Sequence, residues 1–283
     1  MTHSGFTASL VRSPDPIEAT YVHGYTPREA ERLLDQANAL THLLHRDTAY
    51  PPGSQVLEAG CGVGAQTVTL AGHSPGAHFT AVDISENSLE AARQRVAAAG
   101  LTNVAFQRAD LFHLAFGPGS FDHVFVCFVL EHLGDPGSLL RRLRQVLKRG
   151  GSITVIEGDH GSAYFHPDSP YARRAIHCLV DLQAQAGGNA LLGRQLFPLL
   201  TEAGYLQVGV SPRMVYVDSS RPELVEGFTR NTFTAMVEGV RDEALSSGMI
   251  DRAAWQKGVA DLYRTAEADG TFCYTFFKAV GFR

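Results

Sequence analysis

Between residues 50 and 160 short apolar runs alternate with amphipathic stretches of helical period, the pattern of parallel strands joined by crossover helices. Val56-Leu57, Ala77–Asp83, Val104–Ala109, Phe121–Leu130 and Ser152–Gly158 read as strands. The run from Phe121 to Leu130 is long and nearly all apolar, which predicts a central strand buried on both faces. Ser85 precedes a helical run and is its expected N-cap, and a basic helix is expected to close at Leu147-Lys148-Arg149-Gly150-Gly151. From Ser169 to Ala203 the period is helical, broken at Gly187-Gly188-Asn189, and the last helix ends at Gly204. Gln207–Tyr216 and Thr271–Gly281 then read as an antiparallel pair.

Two flanking regions add to this plan. Upstream, Thr26, Pro27 and Glu29 form a capping box before a helix whose Leu33, Leu34, Ala37, Leu40, Leu43 and Leu44 share one face. Downstream, the roughly fifty residues between the last two strands are too long for a loop. Phe228, Phe233, Met236, Val237, Val240 and Leu245 make a helical stripe there, expected to cover a substrate. The expected divisions are residues 1–50 as an N-terminal cover, 51–218 as the core, 219–268 as a helical cap insert and 269–283 as the final strand.

Composition narrows the class. With 283 residues, 45% of them apolar, the chain can bury a full core. A net charge of −5 argues against a nucleic-acid footprint. Cys61, Cys127, Cys178 and Cys273 show no CxxC pairing, and the start Met1-Thr2-His3-Ser4-Gly5-Phe6 lacks a signal pattern. No apolar run is long enough to span a bilayer, so a cytoplasmic protein with reduced thiols is expected. A homodimer is compatible with this picture.

The chemistry concentrates in Val56-Leu57-Glu58-Ala59-Gly60-Cys61-Gly62-Val63-Gly64, a strand running into an acidic residue and three alternating glycines. Such glycines let a turn close and a ligand approach the backbone. Gly60-x-Gly62-x-x-Ala65 also satisfies the relaxed dinucleotide fingerprint, so spacing alone does not select the ligand. Glu58 discriminates: its charge opposes a pyrophosphate and suits a ligand bearing an ammonium and a sulfonium, which favours S-adenosylmethionine over NAD. Asp83, nineteen positions beyond Gly64 at the end of the next strand, is placed to accept both ribose hydroxyls.

These residues resemble the class I S-adenosylmethionine-dependent methyltransferases, in the branch typified by ubiquinone and menaquinone methylation, over roughly residues 50 to 160. The resemblance implies an α/β, Rossmann-like, seven-stranded and mostly parallel sheet with an antiparallel last strand. It implies that the loop from Glu58 through Gly60, Cys61, Gly62 and Gly64 wraps the methionine moiety and that Asp83 binds the ribose. It further implies that Ile84 packs beside the adenine, that Ala109, Asp110 and Leu111 contact its amino group and ring, and that Phe128 faces the sulfur. An N-terminal segment of this family often closes over the cofactor, which makes Tyr21 and Tyr25 candidates; a hydrophobic staple at the helix entry is the equal alternative. Arg149 stands where the family often has proline, a difference confined to a turn.

Beyond the fifth strand, Glu157-Gly158-Asp159-His160-Gly161-Ser162-Ala163-Tyr164-Phe165-His166 is dense in titratable groups at the edge where open α/β sheets bind ligands. His160 is the first candidate base, followed by Asp159 and His132, with Tyr164 as a substrate contact. Arg194 and Arg213 are candidates to hold a substrate carboxylate. Asp159, His160 and His166 match no standard metal spacing, so no metal is expected, and His42-x-x-His45 reads as packing or surface. The expected activity is methyl transfer from S-adenosylmethionine to a small-molecule acceptor. A non-catalytic binding protein of the same fold and a nicotinamide oxidoreductase are the alternatives.

Overall fold

The computed structural model describes residues 40–283. A parallel sheet forms the first half: β1 (Gln55–Ala59), β2 (His78–Asp83), β3 (Val104–Arg108), β4 (Phe121–Cys127) and β5 (Leu147–Gly158). The helices α1 (Ala65–His73), α2 (Glu86–Ala98) and α3 (Pro136–Val146) are the crossovers between them. The second half holds β6 (Tyr164–His166), α4 (Pro170–Gln185), α5 (Leu196–Glu202), β7 (Leu206–Val217), α6 (Arg241–Ser246), α7 (Arg252–Arg264) and β8 (Thr271–Phe282). Strand order is β3-β2-β1-β4-β5-β8-β6, with β7 on the other edge of β8.

The sheet therefore has eight strands where seven were expected. The extra one, β6, arises because β8 outruns β5. Residues 276–282 of β8 pair with β5, while its first residues extend past the end of β5, where Tyr164–His166 takes up their free edge. β7 and β8 pair antiparallel almost throughout, as the sequence pattern requires. The central strand is shorter than its apolar run: β4 stops at Cys127, Phe128 turns left-handed (φ +56°), and Leu130–His132 forms a 3₁₀ turn. The basic helix stops at Val146, and residues from Leu147 on already belong to β5.

Local sequence accounts for the helix ends. Ser85 caps α2 by accepting from the Ser88 amide at 3.3 Å, and Asp135 caps α3 from Ser138 at 2.8 Å. On α3, Leu139, Leu140, Leu143 and Val146 lie on the buried face, each contributing about 1.5 to 3 kcal/mol from burial, while Arg141 is exposed and the half-buried Arg142 and Arg144 donate to the Leu114 and Gly204 carbonyls.

The opposite sheet face carries the insert between β7 and β8. Its middle is a π-helical stretch, Val225–Thr234, where Phe228 and Phe233 are 1% exposed. They pack on Phe272, Tyr274 and Phe276 of β8, which share one face by the strand's period of two. Met236, Val237 and Val240 are also buried and Leu245 packs on the same cluster, so the stripe read from the sequence is a packing face.

Residues 40–45 are helical, with Leu40 and Leu44 buried against this same face. The turn that follows is tied down by charge. Asp47 binds Lys278 at 2.7 Å and also Arg213, both nearly fully buried on β8 and β7. Burial works against ionisation of Asp47, yet the hydrogen bonds and charges of Lys278 and Arg213 bring its pKa down to about 2. The four cysteines carry free thiols. Among the described residues no helix is long and apolar enough to cross a membrane.

Candidate functional site

The carboxyl ends of β1, β2 and β4 meet at the glycine turn. Gly60, Gly62 and Gly64 all have positive φ (80°, 51° and 78°), which L side chains adopt at a cost. Close approach adds a second constraint at two of them. A Cβ on Gly60 would stand 2.5 Å from the Val129 side chain, and one on Gly64 would stand 2.9 Å from Ala92 of α2. At Gly62 nothing lies within 4 Å of the Cβ position, so the turn is open on that side. Cys61 is buried beside it.

Two carboxylates flank this cradle. Asp83, half-buried at the end of β2, accepts from the Gly62 amide at 2.8 Å and from Ser85 at 3.0 Å, so it braces the turn instead of capping α2. Glu58 is 2% exposed and its Oε2 has no hydrogen-bond partner. Burial pushes its pKa up to about 8; the Thr67 hydroxyl beside it opposes this and the Asp83 charge adds to it. An orphaned acid facing an open glycine turn suits a cationic ligand group, whose charge would offset that burial. The residues present therefore fit the methionine end and ribose of S-adenosylmethionine.

Farther along the edge, Asp110 caps the 3₁₀ turn Leu111–His113. It accepts from Phe112 at 2.9 Å and meets His113 Nδ1 at 2.7 Å. Its neighbour Ala109 donates to the Asp83 carbonyl at 3.0 Å, which brings the ends of β2 and β3 together. Ile84 and Leu111, both half-buried, stand on these two adjacent ends. Tyr21 and Tyr25 lie outside the described residues.

Phe128 leads to the other half of the site. Its ring lies 5.6 Å from Phe276, Phe276 lies 4.7 Å from Tyr274, and Tyr274 lies 5.9 Å from His160. An aromatic row thus joins the end of β4 to the turn after β5. His160 is 5% exposed, with Nδ1 at 2.7 Å from the Tyr274 hydroxyl and the Phe233 ring edge-on at 6.3 Å. Burial holds the Tyr274 phenol well above its usual pKa, so its hydroxyl stays protonated. His132 sits in the 3₁₀ turn after β4, 3.7 Å from the Glu131 carboxylate.

Several expected substrate contacts are arranged differently. Arg194 spends its planar fork on Asp159, Nε to Oδ2 at 2.6 Å and an Nη to Oδ1 at 2.8 Å. Asp159 is buried and also takes the Gly161 amide, so the pair is a clasp across the turn after β5. The reason is local: a buried carboxylate needs a cation, and Arg194 is in reach. Arg213 pairs across from Phe276 and reaches Asp47, which it shares with Lys278 two residues along the same face of β8. Tyr164 is 64% exposed on the short β6. His45 is buried against Gln66 (2.6 Å), where burial lowers its pKa to about 4, and His42 is exposed. Among the described residues no cluster of three or more His, Cys, Asp or Glu is placed to hold a metal ion.

Sequence reasoning passed over Glu157, Tyr274, Phe276 and Val129. The alternation Phe272, Tyr274, Phe276 on one strand face was a usable signal for the aromatic row. Glu157, the penultimate residue of β5 as Glu58 is of β1, follows the apolar run Val155-Ile156 and was equally visible.

Comparison with known proteins agrees with this geometry. Residues 56–151 match the family model described as a methyltransferase domain. A demethylmenaquinone methyltransferase of Clavibacter sepedonicus is 36% identical over 176 residues, covering 59% of this chain and 65% of that protein. The methyltransferase GfsG of Streptomyces halstedii is 32% identical over 138 residues, 48% of this chain and 49% of the relative. An uncharacterized transposon Tn4556 protein of Streptomyces fradiae is 32% identical over 206 residues, 72% of this chain and 58% of its own length. The chain thus spans about half to two thirds of these relatives.

Among solved structures, a phosphoethanolamine N-methyltransferase of Haemonchus contortus, in complex with phosphomonomethylethanolamine and S-adenosylhomocysteine, superposes with a TM-score of 0.54 at 19% identity. The match covers 88% of this chain and 53% of that one. The YcgJ protein of Bacillus subtilis gives a TM-score of 0.54 at 16% identity, covering 87% and 98%. These two establish the shared fold.

Proposed function

We propose that this chain, which belongs to the class I S-adenosylmethionine-dependent methyltransferases, catalyses methyl transfer from S-adenosylmethionine to a small-molecule acceptor. The observation that carries the reading is the open positive-φ turn at Gly62, bounded by the orphaned Glu58 carboxylate and by Asp83. A pyrophosphate would meet two acids there, whereas an ammonium and a ribose each find a partner.

The bound donor supplies an electrophilic methyl group on a sulfonium. The chain's own residues then have three tasks. Asp83 takes the ribose hydroxyls, with Ile84, Ala109, Asp110 and Leu111 around the adenine on the adjoining strand ends. Glu58 and the Gly60–Gly64 turn hold the methionine end. Phe128 and the aromatic row behind it exclude water and align the acceptor, a contribution of about 7 to 11 kcal/mol for well-positioned reactants. The insert 219–268 forms the cover above this row.

Where the acceptor must lose a proton, we assign His160, steadied through Nδ1 by the Tyr274 hydroxyl, as the receiving group. Such a base adds about 10²- to 10⁴-fold. His132, at the end of β4, is the second candidate. A small acceptor agrees with the acidic net charge and with the aromatic lining, and the Haemonchus and Clavibacter relatives bear names of small-molecule methyltransferases.

Calorimetric titration with S-adenosylhomocysteine and, separately, NADH tests the donor assignment: saturable binding of the first alone is expected, and binding of NADH alone overturns it. Incubating the enzyme and a cell extract with radioactive S-adenosylmethionine tests catalysis. Label in a small-molecule fraction is expected, and binding without any labelled product favours a non-catalytic binding protein.

A further inference from the structure

Glu157 closes β5 and is 0% exposed. Its Oε1 accepts from the Val129 amide at 3.1 Å and the Leu130 amide at 2.8 Å, and the Glu131 amide also points at the carboxylate. Three consecutive amides of one turn thus converge on one side chain. Its Oε2 is buried without a hydrogen-bond partner. The Glu131 side chain, 7% exposed, adds its charge beside Glu157, with Gln183 Nε2 at 3.5 Å from Glu131 Oε2 and 3.1 Å from the Glu131 carbonyl.

The turn so held is the one that shapes the cofactor cradle. It begins at Phe128, whose positive φ is costly for a side chain of that size and persists only if the surroundings hold it. The Phe128 amide is fixed to the Ile156 carbonyl at 3.0 Å, and the next residue, Val129, fills the space that a Cβ on Gly60 would need. A continuous chain therefore runs from the Glu157 carboxyl through the turn amides to Val129 and the glycine loop. Asn189 closes it from outside by donating to the Glu131 carbonyl at 2.7 Å.

We propose that Glu157 is a positioning residue that, with the buried Glu131 on the same turn, locks the Phe128–Glu131 turn against the Gly60 loop and so sets the affinity of the donor site. Glu157 and Glu131 are both buried at this turn, faced by His132 at 3.7 Å from Glu131 Oε1 and by the Tyr274 phenol and the Cys127 thiol, and two such acids do not both ionise without cost, because like charges in a low-dielectric site repel strongly. The amide donors favour charge on one oxygen of Glu157, while burial and the Glu131 charge act the other way and hold Glu157 well above the usual carboxylate range. With Glu157 protonated the turn is held; a second negative charge, arriving as pH rises, pushes Glu131 and its turn away from Glu157 and loosens Val129 over Gly60.

This rests on the donor reading above, and the test separates the two. S-adenosylhomocysteine binding is measured by calorimetry from pH 6 to pH 9.5 for wild type, Glu157→Gln, Glu131→Gln and Glu157→Leu, each checked for folding by circular dichroism. The ligand's amine titrates alike in all four, so differences between profiles isolate the pair. Wild type is expected to lose affinity on the alkaline side more steeply than Glu157→Gln and Glu131→Gln, which keep near-wild-type affinity at pH 6. Glu157→Leu, which removes the acceptor for three amides, is expected to bind about tenfold more weakly at every pH.

Coincident alkaline profiles for wild type and the two Gln variants overturn the proposal, as does wild-type affinity in folded Glu157→Leu. If Glu157→Leu does not fold, the two Gln profiles decide alone. Absence of binding by wild type at every pH instead overturns the donor reading itself.

Discussion

From β1 to β4 the carboxyl edge is built mainly of backbone: positive-φ glycines, turn amides bonded to Val82, Cys61 and Asp83, and the buried acid Glu58. From β5 to β8 it is built of side chains bonded to one another: Asp159 to Arg194, His160 to Tyr274, Phe233 against Phe272. The first region tolerates little change because a backbone turn has no spare conformations. The second is held by pairs that can be loosened one at a time, which is how one donor site can be combined with different acceptor surfaces. Glu157 belongs to both, rising from β5 to grip the turn after β4.

The sharpest way to break the contrast is to burden the backbone half. Gly60→Val adds a branched side chain at φ +80° where even a Cβ meets Val129 at 2.5 Å. Binding of S-adenosylhomocysteine is expected to weaken by about 100-fold or more, about 2.7 kcal/mol. Near-normal affinity by calorimetry would show the turn to be more adaptable than its geometry implies. Asp83→Ala is expected to cost at least about tenfold, because the proposed ribose contact and the brace on the Gly62 amide go together. An unchanged affinity would remove Asp83 from the site.

In the side-chain half, Arg194→Ala leaves Asp159 buried without its cation. Because Arg194 itself is half exposed, a loss of about 1 to 3 kcal/mol in urea unfolding is expected, with donor affinity nearly unchanged. A matching loss of affinity would mean that the two regions are coupled through this clasp.

A pH-dependent effect sharpens the role of Glu58. Its pKa in the folded, ligand-free protein is raised by burial to about 8, so the fold holds this proton more tightly than the unfolded chain does. The resulting stability is fully present below about 4.5, the ordinary glutamate value, and is lost as pH climbs through about 8. Glu58→Gln, which cannot ionise, is expected to flatten this part of the melting-temperature profile and to weaken the donor. An identical slope in both proteins would show that Glu58 carries no proton on folding.

The sequence by itself determined the alternating α/β plan, the glycine turn, the positions of Glu58 and Asp83, the Ser85 cap and the antiparallel pairing of the last two strands. Apart from that pairing, each of these is written locally: periods of two or 3.6, glycines within a few residues, an acid at a strand end. Only the tertiary structure decided the eighth strand, since β6 exists because β8 extends beyond β5 and leaves an edge to be paired. It also decided which charges are spent. Arg194 and Arg213 read alike as free guanidiniums, but one closes on Asp159, thirty-five residues away in sequence, and the other on Asp47, 166 residues away. Glu157 and Tyr274 gained their parts in the same manner. Buried polar groups must find partners, and which partner is nearest is a property of the folded chain.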